Sequence, residues 1–364
     1  MKTQSARSKQ TAMIILFMTA TALCIPSTSV AQQSLVIDHR CTKVEAIPAY
    51  WLEQAKLLTF HYAHTSHGSQ IISGLGVLEG QQPDFSVAVR ESSSEGLPPV
   101  ENPPALRIYD GNPPETYIEP GDYWSTTDGC NRTRDVASTG SYRYSMWSWC
   151  GQQSSNSVAT TQAYLDTLAG FETEFPAMRF ILMTGHTDGS GVAGTLNQRN
   201  DQVRAYAQAN GMVLFDFADI EAHDPDWKDY LPLGCNDNGD YSGGNWPTQW
   251  CTAHPGDDLC ASCSCAHSQP IICNLKGRAF WWMMARLAGW EGTDRADYDW
   301  DGDIDISDYA HFADCLAGPN TPPAPSMANS TVESCLEAFD ANGDGDVDII
   351  DFERFQSVFE PQAS

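Results

Sequence analysis

Basic residues are scarce in this chain: 20 Lys and Arg face 47 Asp and Glu over 364 residues, for a net charge of −27. No basic patch interrupts that imbalance, which argues against nucleic acid and anionic membrane surfaces as partners. Long apolar runs are missing too. No segment past the N-terminus reaches the roughly 18 apolar residues that a membrane span requires, so no membrane span is expected. Cysteine is plentiful, at 12, yet Cys260-Ala-Ser-Cys263-Ser-Cys265 lacks the second CxxC of a zinc ribbon. Disulfide-stapled loops are therefore preferred over zinc.

What is present begins with Lys2, Arg7 and Lys9, an apolar run from Ala12 to about Cys24, and small residues at Ser29-Val30-Ala31. Residues 1–31 read as a secretory signal peptide cut between Ala31 and Gln32, which makes the mature protein extracellular or surface-associated. Leu23 stands where a small residue should precede a lipidated cysteine, which argues against lipidation at Cys24. Cleavage leaves eleven Cys, mostly disulfides in an exported protein, with one left unpaired or intermolecular.

The acidity is local. Residues 294–364 hold 13 Asp, 4 Glu and 2 Arg, and so carry −15 of the net charge. Asp297-x-Asp299-x-Asp301-Gly302-Asp303-Ile304-Asp305-Ile306-Ser307-Asp308 returns as Asp340-x-Asn342-x-Asp344-Gly345-Asp346-Val347-Asp348-Ile349-Ile350-Asp351. Oxygen ligands fall at loop positions 1, 3, 5, 9 and 12, with Gly at position 6 for the sharp turn, which is calcium-loop chemistry. Asp303 and Asp346 occupy position 7. Carboxylates packed this closely repel one another unless a hard cation sits among them, so two calcium sites are expected. After each loop comes helical spacing: Tyr309, Phe312, Leu316, and then Phe352, Phe355, Phe359. The pair resembles the dockerin type I repeat, a small all-α loop-helix module over residues 293–364. The connector Gly318 to Ser330 is longer than that family usually has, and Cys315 and Cys335, which flank it, are expected to form a disulfide. The resemblance implies docking onto a cohesin-type protein through positions 10 and 11, here Ile306/Ser307 and Ile349/Ile350. The bland alternative is a calcium-stabilised appendage without a partner.

Residues 32–292 read as one α/β domain with a mostly parallel sheet, because strand-like runs alternate with helical spacing. Leu57 to Ala63 reads as a buried strand, and a helix opens near Gln70. Tyr142 to Gln152, Arg179 to Gly189 and Gly211 to Asp216 read as further strands, and Asn197 to Asn210 and Lys276 to Leu287 as helices. Glu91 to Asp135, rich in Pro, Gly and Asn, reads as an ordered surface insertion. Three strands end in small, polar turns: His64-Thr-Ser-His-Gly-Ser69, Cys150-Gly-Gln152 and Gly185-His-Thr-Asp188. In a parallel sheet such turns meet at one edge, where ligands bind.

These turns resemble the motif blocks of the SGNH (GDSL-like) hydrolases, a superfamily of ester hydrolases. The resemblance implies a flavodoxin-like three-layer α/β/α sandwich. It implies Ser66 as nucleophile, Gly151 and Thr187 at the oxyanion positions, Asp188 closing the Gly-x-x-Asp block, and His267, before the last helix, as the base. The chain departs from the family pattern in having Ala-His-Thr-Ser66 for Gly-Asp-Ser-Leu, and Ser264 where an Asp should stand three residues before the histidine. The implied activity is that of a secreted serine esterase acting on an acylated glycan. Two alternatives stand beside it: a catalytically silent glycan- or partner-binding domain, and a metallohydrolase using His64, His67 and His186.

Overall fold

Seven short runs become strands, and the central ones, rich in Ile, Leu, Phe, Tyr and Met, do so because their side chains fill a sheet covered on both faces. The computed structural model describes residues 34–359 apart from residue 329; the expected signal peptide and Cys24 lie outside the described residues. The strands are β1 (Leu35–Ile37), β2 (Thr59–Ala63), β3 (Val87–Glu91), β4 (Leu106–Asp110), β5 (Tyr144–Trp147), β6 (Arg179–Met183) and β7 (Val213–Phe215). They pair in the order β1-β7-β6-β5-β2-β4-β3, every pair parallel. A separate antiparallel ribbon joins β8 (Asp240–Tyr241) to β9 (Gly244–Asn245).

The helices of this domain are α1 (Ala49–Ala55), α2 (Ser69–Gln81), α3 (Pro120–Tyr123), α4 (Thr127–Ser138), α5 (Val158–Glu174), α6 (Thr195–Asn210), α7 (Phe217–Ala222), α8 (Trp246–Ala253) and α9 (Pro270–Leu287). Strands β2 and β7 are buried along their whole length, consistent with a three-layer α/β sandwich. The chain steps from β2 to β4 in one direction across the sheet, and from β5 through β6 to β7 in the other. The reversal falls between β2 and β5, and a parallel sheet opens its ligand crevice beyond the carboxyl ends of the strands at such a point.

One expectation is corrected. The stretch read as a surface insertion contains β4, whose Leu106, Ile108 and Tyr109 are fully buried between β2 and β3. Residues 92–105 cross from β3 to β4 without a helix, so a Pro-rich loop and a core strand share one stretch of sequence. β1 and β3, which the pattern does not predict, form the two sheet edges.

Helix α9 is buried almost all round, from Ile271 to Ala285, and α2 packs directly on it. The contact is backbone on backbone. A β-carbon at Gly74 would lie 1.9 Å from the Cys273 carbonyl oxygen, and one at Gly277 would lie 2.3 Å from the Gly74 carbonyl carbon. Gly74→Val is expected to force the helices apart and lower stability by about 3 kcal/mol or more, measurable as a fall in the urea midpoint. An unchanged midpoint would show that the two helices do not touch here.

Residues 294–359 build a second, smaller core from Tyr298, Ile304, Phe312, Phe339, Val347 and Phe355. Its helices are α10 (Ile306–Cys315), α11 (Val332–Phe339) and α12 (Ile349–Val358). The expected Cys315–Cys335 disulfide joins α10 to α11. Trp300, inside the first acidic loop, stacks on Trp282 of α9 with ring centroids 5.5 Å apart. The Arg40 guanidinium lies 5.1 Å above the Trp300 ring and pairs with Glu337 at 2.7 Å, so this module is seated on the larger domain. Two further disulfides, Cys251–Cys260 and Cys265–Cys273, staple the loops around α8 and α9. The sequence reading expected one unpaired cysteine among the eleven. Instead, Cys41, Cys130, Cys150, Cys235 and Cys263 are all free.

No helix among the described residues is long and apolar enough to cross a membrane.

Candidate active site

The turns after β2 and β5 meet at the reversal of strand order. Gly68 makes the approach possible: a β-carbon there would fall 2.2 Å from His64 Cβ and 2.8 Å from Ser148 Cβ. With that space closed, Cys150 at the end of β5 lies against the turn that opens α2. His67 Nδ1 stands 3.0 Å from Cys150 Sγ, and His67 Nε2 stands 3.0 Å from Asp237 Oδ2. Nucleophile, imidazole and orienting carboxylate thus line up in the order that activates a thiol.

The electrostatics follow from these contacts. Burial pushes the Cys150 thiol up, but hydrogen bonds from His67 and Ser66 outweigh it and hold the thiol down at about 6. Burial disfavours charge on His67, yet its bonds to Asp237 and Cys150 hold it up at about 9. Burial likewise opposes ionisation of Asp237, but the His67 bond keeps it below the usual carboxylate range. Between about pH 6 and 9 the pair is therefore a thiolate and an imidazolium. Cys150 is partly exposed whereas His67 is buried, so a substrate can reach the sulfur while the base stays dry.

His67 is also the middle ring of a stack. His186, after β6, lies on one face with centroids 3.9 Å apart and planes 3° from parallel. His267, before α9, lies against it at 4.6 Å and 15°. His186 and His67 are buried while His267 is exposed and held at φ 63°. His67, His186 and Asp237 offer ligand atoms within 4.8 Å of one another, which tests the metallohydrolase alternative. An ion at the usual ~2.0–2.1 Å sits in the plane of each ring that binds it. Parallel planes do not meet at one ion, so this stack fits a proton site better than a metal site. His64, the third member of that alternative, turns elsewhere: its Nε2 is 2.9 Å from Asp110 Oδ2 and its Nδ1 is 2.6 Å from the Thr65 carbonyl.

The other residues singled out by sequence take the following places. Ser66 Oγ lies 3.6 Å from Cys150 Sγ and lines a groove of about 270 Å³ with His64, Ser69, Asp110 and Tyr117. Among the described residues no hydrogen bond joins Ser66 to His267. Gly151 follows Cys150, with His186 Nε2 4.0 Å from the position its β-carbon would take. Thr187 gives both of its donors to Glu221, the N–H at 2.7 Å and the hydroxyl at 3.1 Å, which turns them away from an oxyanion role. Asp188 accepts from the Ser190 N–H and hydroxyl at 2.9 and 2.5 Å; burial opposes its charge, but those bonds hold the carboxyl below its ordinary range. The N–H groups of Ser66 and His67 donate to no protein acceptor among the described residues.

Cys150 and Asp237 are the members of this arrangement that the sequence did not single out for chemistry, and His67 was expected there as a metal ligand and not as the partner of a thiol. Cys150 was visible as a strand-end turn residue, but the number of cysteines in an exported chain argued for disulfides. Asp237 lies 170 residues from its histidine, with no local spacing to mark it.

The acidic loops repeat in geometry as they do in sequence. Gly302 N–H and Gly345 N–H donate to Asp297 and Asp340 at 3.0 and 2.9 Å. Asp305 and Asp348 N–H donate to Asp308 and Asp351, both at 2.8 Å. Asp297, Asp299 and Asp308 bring carboxylate oxygens within 4.8 Å of one another. Burial and the neighbouring carboxylates push Asp297 up to about 8, the repulsion a hard cation would relieve.

Searches against protein-family models, curated proteins and solved structures find no match for this chain.

Proposed function

We propose that this chain is an exported hydrolase of acyl esters that uses Cys150 as its nucleophile, His67 as acid and base, and Asp237 to orient His67. One observation carries the reading: the 3.0 Å contact of Cys150 Sγ with His67, backed by Asp237 at 3.0 Å. The thiolate attacks the ester carbonyl, and the electron pair of the C=O bond moves to oxygen. The N–H groups of Ser66 and His67 and the Ser66 hydroxyl receive that oxyanion, each such donor being worth roughly 3–4 kcal/mol. The His67 imidazolium then protonates the departing alkoxide. Neutral His67 takes a proton from water, the hydroxide attacks the thioester, and the acid leaves as the thiolate returns.

The strand order supports the SGNH-like, flavodoxin-like reading. Of the central strands, β2, β4, β5, β6 and β7 lie in the order 2-1-3-4-5, with the site at the switch point. The departure from that superfamily lies in the nucleophile, which moves from Ser66 to the thiol beside it. An acylated glycan remains the substrate class, because residues 293–364 resemble modules carried by enzymes of polysaccharides. In that module we propose two calcium sites and a docking face for a cohesin-type partner. Ile306, Ile349 and Ile350, at the recognition positions, are 63%, 71% and 57% exposed, which suits a surface awaiting a partner.

The test compares iodoacetamide labelling at pH 6.5 and hydrolysis of p-nitrophenyl acetate in wild type, Cys150→Ala and Ser66→Ala. Labelling of the 150 position and hydrolysis should both vanish in Cys150→Ala. Ser66→Ala should still label at the 150 position, more slowly because the thiol loses one of the bonds that hold it down, and turn over about 10²-fold more slowly. Hydrolysis that survives Cys150→Ala and is lost in Ser66→Ala would return the nucleophile to Ser66. No hydrolysis of any acyl ester would favour the silent binding domain.

A further inference from the structure

The three stacked imidazoles come from three separate loops, and each loop is tied to one buried ion pair that the mechanism above does not use. Lys276 on α9 and Glu221 on α7 are both fully buried. Lys276 Nζ donates to Glu221 Oε1 and to Gln70 Oε1, each at 2.5 Å, and lies 3.3 Å from the Phe217 ring centroid. From there the tethers spread outward. Gln70, in the first turn of α2 just after His67, donates its amide to the Ala266 carbonyl at 2.5 Å, next to His267. Glu221 Oε2 accepts both donors of Thr187, next to His186. The Glu221 carbonyl accepts from the Trp246 indole at 3.2 Å and from the Cys235 thiol, two residues before Asp237.

We propose that Lys276 and Glu221 are positioning residues: this buried pair sets the places of His186, His67, His267 and Asp237 together, and thereby holds His67 on the Cys150 sulfur. The proposal rests on the thiolate reading of Cys150. Its physical basis is the cost of burying two charges, which a hydrophobic pair of similar volume would avoid. Apolar side chains would fill the space, but they would leave the Gln70 carbonyl and the Thr187 donors without partners. The loops would then be free to shift by the tenths of an ångström that separate a hydrogen-bonded thiolate from an ordinary thiol.

The experiment uses the full chain with the double substitution Lys276→Met and Glu221→Leu, which removes both charges and the acceptor that holds Thr187, and with Gln70→Met, which cuts one tether without changing charge. The readout is the pH dependence of Cys150 alkylation, followed by mass spectrometry. The expected result is a wild-type midpoint in the acidic range, a midpoint raised by a unit or more in the double variant, and alkylation at pH 6 slowed about fivefold or more. Gln70→Met should move in the same direction by a smaller amount, and it decides the matter if the double variant does not fold. A wild-type midpoint in the acidic range that neither variant moves would overturn the positioning role and leave the thiolate reading standing. A wild-type midpoint in the ordinary thiol range would overturn both.

Discussion

Ester hydrolysis by the intact chain is expected to follow a bell-shaped pH profile with limbs near pH 6 and pH 9, and His67→Gln is expected to lower kcat/KM by about 10⁴-fold. The sign of each limb follows from the pair. Below the lower limb Cys150 is protonated and cannot attack; above the upper one the imidazolium is gone and cannot protonate the alkoxide. The two apparent values belong to the pair rather than to either residue. In His67→Gln the thiol loses its main stabilising bond while burial still pushes it up, so its titration should return to about 8.5 or above. At pH 7 the thiolate then falls from about nine-tenths of the molecules to a few per cent. Loss of general acid catalysis takes another 10²–10⁴-fold, approximately. Asp237→Asn keeps the imidazole but weakens the preference for its charged form, so it should narrow the bell from the alkaline side. Alkylation rate and kcat/KM against pH check both variants. A lower limb that stays near pH 6 in His67→Gln would show that another group activates Cys150.

How far the sequence reveals this site depends on how local each signal is. The strand Thr59–Ala63 and the turn after it are legible because apolar β-formers break directly into polar residues within one short stretch. The parallel sheet is legible from the alternation of such runs with helical spacing. β4 is not, because no helix separates it from β3 and a Pro-rich connection surrounds it. The pairing of His67 with Asp237 is a property of the tertiary structure alone. His67 stood next to the residue chosen as nucleophile, and Cys150 within a turn already placed at the site. Chemistry assigned from family spacing favoured the serine, whereas distance and burial favour the thiol one strand away. Both residues face the same crevice because the reversal of strand order, which is written in long-range periodicity, puts β2 beside β5.

Removing calcium with EDTA is expected to unfold or strongly loosen residues 294–359 while the larger domain stays folded. All twelve positions of each loop are consecutive, so the ligand set Asp297, Asp299, Asp301, Asp305 and Asp308, and its copy from Asp340 to Asp351, are brought together by local turns alone. The core beneath them is small, with four aromatic side chains and the Cys315–Cys335 disulfide doing most of the packing. A domain of this size holds little stability of its own. Each ion at about a thousand times its dissociation constant adds roughly 4 kcal/mol, comparable with the whole stability of such a module. Melting followed by near-ultraviolet circular dichroism should therefore show a low-temperature transition that calcium removes. The two loops differ in what they report. Trp300 in the first loop stacks on Trp282 of the larger domain. Asp297→Ala should thus change tryptophan fluorescence as that ring leaves its seat, whereas Asp340→Ala should destabilise the module with a much smaller spectral change. Melting curves and spectra that EDTA leaves unchanged would count against calcium, and equal fluorescence changes in the two variants would count against the seating of the first loop.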